Sequence, residues 1–341
     1  MKSALKAGAF LVTALSVLTI SCSGQPKLPD GLYARIETVR GTVIAHLDFD
    51  KARLTVANFV GLAEGTLDAT AGRHFYDGLT FHRVEKGFVI QGGDPMGDGT
   101  GDAGYIFPNE IHPDLRHDAP GVLGMASYAP DTNGSQFYIT LDTIPYLDGR
   151  YTVFGRVVQG MDIVTEIQKG DFIKSIRILR IGDEAKAFRS DQAAWNALYA
   201  PAMEAIKNRK IAERAALIRQ ITDRWPDLEA RPDGMLQKIL KDGSGPTIRR
   251  FWLVNVAYKG MLPNGQVFDE SSLHGGSIEF EVGSNQVIPG WDIIVSEMKK
   301  GEKRLVAIPP EYAYGSKGAA GGLIPPDSYL IFEIEITGYT E

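Results

Sequence analysis

The sequence predicts a multidomain, mainly β protein in which two strand-rich domains flank a helical spacer. The chain has 341 residues, which suits two or three domains, and 44% of them are hydrophobic, enough for packed cores. β-Branched and aromatic runs broken by Gly and Pro cover residues 32–183 and 234–341. Between them, residues 184–233 are rich in Ala, Lys, Arg and Glu, and their apolar residues recur at helical spacing. A formal net charge of −6 argues against a nucleic-acid partner.

The first 22 residues are typical of an export signal. Lys2 and Lys6 precede an apolar stretch, residues 7–20, that is shorter than a transmembrane helix requires. We therefore expect this segment to direct export of the protein. A plain transmembrane anchor is an alternative interpretation of the same stretch.

Cys22 is the only cysteine, so no intramolecular disulfide can form. Residues 18–22 resemble a bacterial lipobox, although Thr19 stands where a larger aliphatic residue is usual. We expect lipidation of Cys22, a flexible linker over residues 23–31, and a protein anchored to a bacterial membrane in the periplasm or at the cell surface. The absence of aspartate after Cys22 favours the outer membrane. An ordinary secretory signal that leaves a free protein is the alternative.

In the first domain, residues 33–38 and 41–47 alternate as strands do, and residues 52–67 have the apolar spacing of a helix. The Gly- and Asp-rich segment 97–104 lacks the strand-to-helix context of a dinucleotide fingerprint and the spacing of a calcium loop. A structural turn is therefore predicted there.

The spacer should contain two helices, because Pro201 interrupts the helical pattern and Pro226 ends it. Its aromatic stripe should pack on a neighbouring domain. A client-binding groove and a dimer-forming coiled coil are the alternatives.

The second domain returns to strands, with a hairpin turn predicted at Asn264-Gly265 and a short helix over residues 291–298. Strands are predicted over residues 235–240, 251–259, 277–282, 304–308 and 329–338.

Two sets of motifs resemble two unrelated families. The first set is Phe81-His82-Arg83-Val84, residues 87–94 and residues 133–137, and it resembles a cyclophilin over the whole of the first domain. The second resembles an FKBP-type isomerase, and its segments are 258–260, 267–269, 287–291, 312–315 and 322–326. These resemblances imply a closed antiparallel β-barrel with capping helices, followed by an α+β domain whose antiparallel sheet wraps one short helix.

The cyclophilin resemblance implies a catalytic Arg83 aimed at the prolyl nitrogen, with Phe88 and Gln91. Substrate-binding residues implied with them are Val89, Ala126, Ser127, Tyr138, Tyr146, Leu147 and Tyr151. Three of these depart from the usual pattern: Tyr138 replaces phenylalanine, Tyr146 stands where tryptophan is common, and Tyr151 replaces a common histidine.

The FKBP resemblance implies an apolar pocket with Trp291 as its floor. The other residues implied to bind substrate there are Tyr258, Phe268, Asp269, Val287, Ile288, Tyr314, Leu323 and Phe332. Ile278 stands where a pocket phenylalanine is usual, and residues 315–322 carry one extra residue.

Both resemblances imply a peptidyl-prolyl cis-trans isomerase that assists folding of exported proteins. Prolyl polypeptides are the expected clients, and cyclosporin and macrolide immunosuppressants are candidate ligands. Rotation about a prolyl bond needs no cofactor or metal, so we expect none. The alternative is a bivalent prolyl-peptide-binding chaperone or scaffold with little turnover, especially in the second domain.

The remaining residues offer little support for other chemistry. The six histidines show no metal-ligand spacing, and the nearest pair, His112 and His117, is expected in a solvated loop. A nucleophile elbow and a phosphate-binding loop are both absent from the sequence, which argues against a hydrolase or a nucleotide-binding protein.

Overall fold

The computed structural model describes residues 28–341; the predicted signal segment and Cys22 lie outside the described residues. The chain divides into two compact units, one ending at Glu204 and the other comprising Ala205–Glu341. Both units are mainly β, as predicted, and the domain boundaries inferred from the sequence stay predictions.

The first unit contains eight strands and three short to medium helices, followed by the start of a longer one. In chain order they are β1 (Gly31–Thr38), β2 (Thr42–Leu47), α1 (Arg53–Glu64), β3 (Arg83–Glu85), β4 (Val89–Gly92), β5 (Val122–Met125), β6 (Phe137–Thr140), β7 (Val153–Gln159), α2 (Met161–Glu166), β8 (Ile173–Ile181) and α3 (Asp183–Ala187). Residues 97–104 form bends without helix or strand, in agreement with the predicted turn.

The eight strands form one antiparallel sheet in the order β3-β4-β6-β5-β7-β2-β1-β8. The segments just before the two end strands also pair, through a bridge between Thr80 and Phe172. The Phe81 N–H donates to the Asp171 carbonyl over 2.9 Å at the same place. The backbone groups that precede both end strands are therefore satisfied by each other.

Helix α1 lies in the core of this unit, and residues 54–63 are all buried. Phe59 packs against Tyr76, Phe137 and Phe154 at ring-centre distances of 5.1–5.4 Å. The helix ends before residue 67, earlier than predicted, because Gly65 adopts the left-handed conformation at φ 75°.

A single helix, α4 (Gln192–Arg224), replaces the two helices predicted around Pro201. An interior proline removes one backbone hydrogen bond and usually kinks a helix. Here the preceding turn is held by packing, because Trp195 is buried in the first unit and stacks on Tyr199 at 4.4 Å. Further along α4, residues that pack on the core of the second unit are Leu217, Ile218 and Ile221.

The second unit contains nine strands and one short helix after the end of α4. They are β9 (Glu229–Ala230), β10 (Leu236–Lys241), β11 (Ser244–Thr247), β12 (Leu253–Met261), β13 (Val267–Glu270), β14 (Ile278–Glu281), α5 (Pro289–Val295), β15 (Lys299–Lys300), β16 (Lys303–Ile308) and β17 (Leu330–Thr340). The predicted hairpin turn lies between β12 and β13, with Gly265 at φ 85°.

Seven of these strands form one antiparallel sheet, in the order β13-β12-β17-β16-β10-β9 with β14 paired to β12. The apolar side of α5 packs on this sheet, and Trp291, Ile294 and Val295 are buried there. A buried charged network also lies in this unit, where Arg304 is bonded to Glu302 and to Gln237. Within residues 28–341, no helix has the length and apolar character needed to cross a membrane.

Candidate active sites

The first candidate site begins with Arg83 and Gln91, which lie opposite each other on β3 and β4. The Arg83 Nη1 group donates a hydrogen bond of 3.1 Å to Gln91 Oε1. Gln91 Nε2 in turn donates to Gln136 Oε1 at 2.8 Å, and Gln136 Nε2 donates to the Gly101 carbonyl at 2.8 Å. This series of hydrogen bonds fixes the orientation of both glutamine amides, because the oxygen of each accepts a bond and the nitrogen of each donates one.

A second anchor for Arg83 is Glu85, which sequence analysis did not single out. Glu85 Oε1 accepts from Arg83 Nε at 2.9 Å and from Nη2 at 2.6 Å. A guanidinium has five N–H groups, and Glu85 and Gln91 occupy three of them. Two charged donors are left, one on each terminal nitrogen. Successive side chains of a β-strand point to opposite faces, so residues 83 and 85 of β3 share one face. This two-residue period is the signal that could have identified Glu85.

Beside this pair is a small apolar cup. Val89, Tyr138, Ile144 and Leu147 are buried together, and Phe88, Ala126 and Tyr151 pack against them. The guanidinium carbon of Arg83 lies 5.7 Å from the centre of the Phe88 ring. The site thus combines a cationic donor with an adjoining apolar cluster.

The cavity that contains both parts has a volume of about 760 Å³. Nine of the ten residues predicted for this site line it: Arg83, Phe88, Val89, Gln91, Ala126, Ser127, Tyr138, Leu147 and Tyr151. Tyr146 is the exception; it is 62% exposed and lies nearly parallel to Phe88, with ring centres 6.3 Å apart. Residues 98–102 and Gln136 also line the cavity.

His117 corrects the expectation of a solvated loop, since its side chain is fully buried beneath the cup. Its Nδ1–H donates to Asp148 Oδ1 at 2.9 Å, and Nε2 lies 2.7 Å from the Tyr138 hydroxyl. Burial lowers the pKa of His117 despite the nearby carboxylate. Burial opposes ionisation of Asp148, but hydrogen bonds from the backbone and ring of His117 and from Arg116 outweigh it and lower the pKa of that carboxyl.

The second candidate site is built around Trp291, which is 4% exposed at the start of α5. Its ring meets those of Tyr258 and Phe332 edge to face, at 5.0 and 5.2 Å. Phe268 packs edge to face on Phe332 at 5.7 Å, and Val287 and Ile288 are half-buried against the same cluster. These contacts bring together most residues predicted for the pocket.

Polar groups lie at the edge of this aromatic cluster. The Tyr258 hydroxyl donates to Asp269 Oδ2 at 2.6 Å, and His274 Nε2 lies 2.7 Å from Asp269 Oδ1. Burial opposes ionisation of Asp269, but the bonds from Tyr258 and His274 outweigh it and lower the pKa of the carboxyl. Burial and the Asp269 charge together raise the pKa of Tyr314.

Two features of the second site are an indole N–H that is unpaired among the described residues and an exposed Leu323. Trp291 Nε1 is buried without a hydrogen-bond partner in the described part of the chain, an uncommon state for an indole N–H. Leu323 is 43% exposed and follows the turn Ala320–Gly322, so the structure does not place it in the aromatic cluster. Across residues 28–341, no group of three His, Cys, Asp or Glu side chains is arranged to hold a metal ion.

Comparison with known families gives two matches along the chain. Residues 33–183 match the family described as cyclophilin type peptidyl-prolyl cis-trans isomerase/CLD. Residues 246–337 match the FKBP-type peptidyl-prolyl cis-trans isomerase family. The two matched ranges contain all the residues of the two sites described above.

Two curated relatives are similar to part of this chain. Peptidyl-prolyl cis-trans isomerase A of Mycobacterium tuberculosis is 48% identical over 145 residues, which are 40% of this chain and 80% of the relative. Peptidyl-prolyl cis-trans isomerase-like 1 of Mus musculus is 44% identical over 142 residues, 41% of this chain and 80% of the relative.

Among solved structures, a cyclophilin type isomerase of Cryptosporidium parvum is 33% identical, with a TM-score of 0.40, and covers 44% of this chain and 98% of that one. The structure of AtFKBP13 is 39% identical, with a TM-score of 0.32, and covers 33% and 99%. By its first domain the chain belongs to the cyclophilin-type peptidyl-prolyl cis-trans isomerases, and an FKBP-type isomerase domain follows in the same polypeptide.

Proposed function

We propose that Arg83, Phe88 and Gln91 catalyse prolyl isomerisation, with the proline ring seated in the cup formed by Val89, Tyr138 and Leu147. The observation that carries this assignment is the placement of two uncommitted guanidinium donors beside an apolar recess. Residues predicted to complete substrate binding at this site are Ala126, Ser127, Tyr146 and Tyr151.

The chemistry of the reaction explains why this arrangement is suitable. The barrier to rotation is about 18–20 kcal/mol, because the planar amide is stabilised by resonance. In the twisted transition state the prolyl nitrogen regains a lone pair. A donor from Arg83 that bonds this lone pair stabilises the transition state and not the planar ground state, which is the condition for a faster reaction. Gln91 can hold the substrate carbonyl while the bond turns.

The second site has no charged donor in its apolar cluster. We propose that it holds proline over Trp291, with Tyr258, Phe268, Val287, Ile288 and Phe332 as walls. Asp269, which is bonded to Tyr258, would contact the substrate at its edge, and Tyr314 and Leu323 stay predicted contacts. Removal of water from the amide in such a pocket disfavours its polar planar form relative to the twisted one. Desolvation stabilises the twisted amide less than a preorganised charged donor does. We therefore expect slower turnover in the second domain than in the first.

A comparison of variants tests both assignments. The soluble chain from Gln25 is assayed for isomerisation of a short prolyl peptide, with Arg83→Ala and Trp291→Ala made singly and together so that each domain is measured with the other disabled. Arg83→Ala should reduce turnover by the first domain about 100-fold or more, the effect of losing a preorganised transition-state donor. Trp291→Ala should remove the remainder. Matched controls are Arg156→Ala on β7 and Trp252→Ala, which immediately precedes β12.

Two outcomes would change the proposal. If Arg83→Ala retains its turnover, Arg83 is not the transition-state donor. If the second domain binds prolyl peptides but does not accelerate their rotation, it is a binding module. The chain would then have one catalytic site and two sites that bind the client.

We further propose two features that rest on the sequence and on the pairing of strand ends. The first is that the eight-stranded sheet closes into a barrel, for which the Thr80–Phe172 bridge is the support. The second is export and lipid anchoring through Cys22, with a role in folding exported proteins. Labelled fatty acid should enter the wild-type chain and not a Cys22→Ser variant, and membrane fractionation would show whether the anchor holds the protein there.

A further inference from the structure

The floor of the proline cup in the first domain carries a polar atom that an apolar pocket must accommodate. Tyr138 is 5% exposed, and its ring lines the cavity beside Val89 and Leu147. A phenol hydroxyl buried without a partner would be destabilising by about 1–3 kcal/mol. The position of this hydroxyl therefore decides whether the ring can stay in the floor.

His117 supplies the partner. Its Nδ1 faces the Asp148 carboxylate, which can only accept, so Nδ1 carries the proton. In the neutral ring the lone pair is then on Nε2, where it accepts from the Tyr138 hydroxyl at 2.7 Å. Asp148 also accepts the backbone N–H of His117 at 2.8 Å, so the imidazole is fixed in both position and tautomer.

Gly124 confines the ring from the neighbouring strand. Gly124 and Tyr138 are directly opposed between β5 and β6. A Cβ atom added to Gly124 would lie 2.4 Å from Tyr138 Cζ and Oη, so the phenol end of the ring occupies the space that a side chain would fill. The ring thus lies across the glycine with its hydroxyl directed to His117, away from the cavity.

We propose that His117 and Asp148 are positioning residues for the proline cup, which hold the Tyr138 ring in the floor by engaging its hydroxyl. The inference rests on the proposed use of this cup for substrate proline. Without an acceptor at position 117, the hydroxyl would be left unpaired inside the wall. Tyr138 lines the cavity, so we expect the ring to turn its hydroxyl toward solvent there and reduce the space available to the substrate.

A double-mutant cycle tests this. His117→Leu is made in the wild-type chain and in a Tyr138→Phe chain, and KM, kcat and the Kd of a short prolyl peptide are measured for the first domain. In the wild-type background we expect KM and Kd to rise about tenfold, the effect of roughly 1.4 kcal/mol. In the Tyr138→Phe background, where no hydroxyl seeks water, His117→Leu should change them less than twofold.

His117→Gln is the conservative control, since a glutamine amide can accept from the Tyr138 hydroxyl at the place of Nε2. It should keep KM within about threefold of wild type. The Tyr138 hydroxyl would keep a hydrogen-bond acceptor, so only a small part of the roughly 1–3 kcal/mol cost of an unpaired hydroxyl would be incurred. Equal losses in both Tyr138 backgrounds would overturn the proposal and assign His117 a purely structural role in holding the Asp148 segment.

A second measurement needs no variant. The Tyr138 hydroxyl proton of the wild-type chain should exchange slowly with water and couple to the His117 Nε2 nitrogen in NMR spectra. Fast exchange would overturn the proposal even if His117→Leu fails to fold. Failure of the proposed function is distinct from either result, since it would appear as an unchanged kcat/KM of the first domain in Arg83→Ala.

Discussion

Gly124 gives a direct test of how closely the cup floor is packed. In Gly124→Ala the new Cβ would lie 2.4 Å from Tyr138 Cζ, whereas real Cβ contacts are essentially never below 3.0 Å. The ring must therefore retreat by at least the difference, about 0.6 Å, into a wall that is already packed. Overpacking of this kind destabilises a domain by about 1–3 kcal/mol. Shifts approaching 1 Å at a reacting centre can lower rates by about 100-fold.

We expect Gly124→Ala to lower kcat/KM of the first domain about tenfold and to reduce its free energy of unfolding by about 1–3 kcal/mol. The assay is isomerisation of a prolyl peptide with the second domain silenced, alongside urea unfolding. Gly92→Ala on β4 is the matched control, because its Cβ would meet atoms no nearer than 3.3 Å. If Gly124→Ala keeps kcat/KM within threefold of Gly92→Ala, the floor either yields without effect or does not contact the substrate.

Two further predictions concern the second domain. Arg304→Met should lower its free energy of unfolding by about 3–5 kcal/mol, because Glu302 stays buried without its partner. Lys241→Met, which removes an exposed ion pair, should change it by less than about 1 kcal/mol. Equal changes for the two variants in urea unfolding would contradict the prediction for Arg304. Because the pKa of Asp269 is lowered in the folded chain, its contribution is present above the unfolded pKa of about 3.9 and is lost as pH falls through the lower folded value. The stability difference between wild type and Asp269→Asn should therefore shrink between about pH 5 and pH 2 in urea unfolding, and a constant difference would speak against a shifted pKa.

Sequence patterns predicted the first two strands of the first domain and five strands of the second, and family resemblance predicted nine of the residues that line the first cavity. They succeeded because strand alternation and motif residues are local: Arg83 and Gln91 are only eight positions apart and lie on paired strands. The boundaries of helices were less accurate. The end of α1 depends on the left-handed conformation of Gly65, and the continuity of α4 through Pro201 depends on tertiary packing of Trp195.

The network beneath the cup could not be predicted, since its members come from separate segments. His117 and Tyr138 are 21 positions apart and His117 and Asp148 are 31 apart, and none of the spacings follows a strand or helix period. The neighbouring polar residues made a solvated loop the simpler interpretation of His117. Only the sheet register, which brings Tyr138 opposite Gly124, shows why a buried acceptor is needed there.

Helix α4 also determines how this polypeptide can be dissected. Trp195 belongs to the buried core of the first unit and Ile221 to that of the second, although both lie outside the ranges that match the two families. A fragment cut at residue 183 would leave an apolar surface open to water, and so would a fragment that starts at residue 246. Expression of either isomerase alone should therefore keep its own portion of α4. A glycine-serine tether could replace at most the exposed stretch 207–216 without removing side chains from a core.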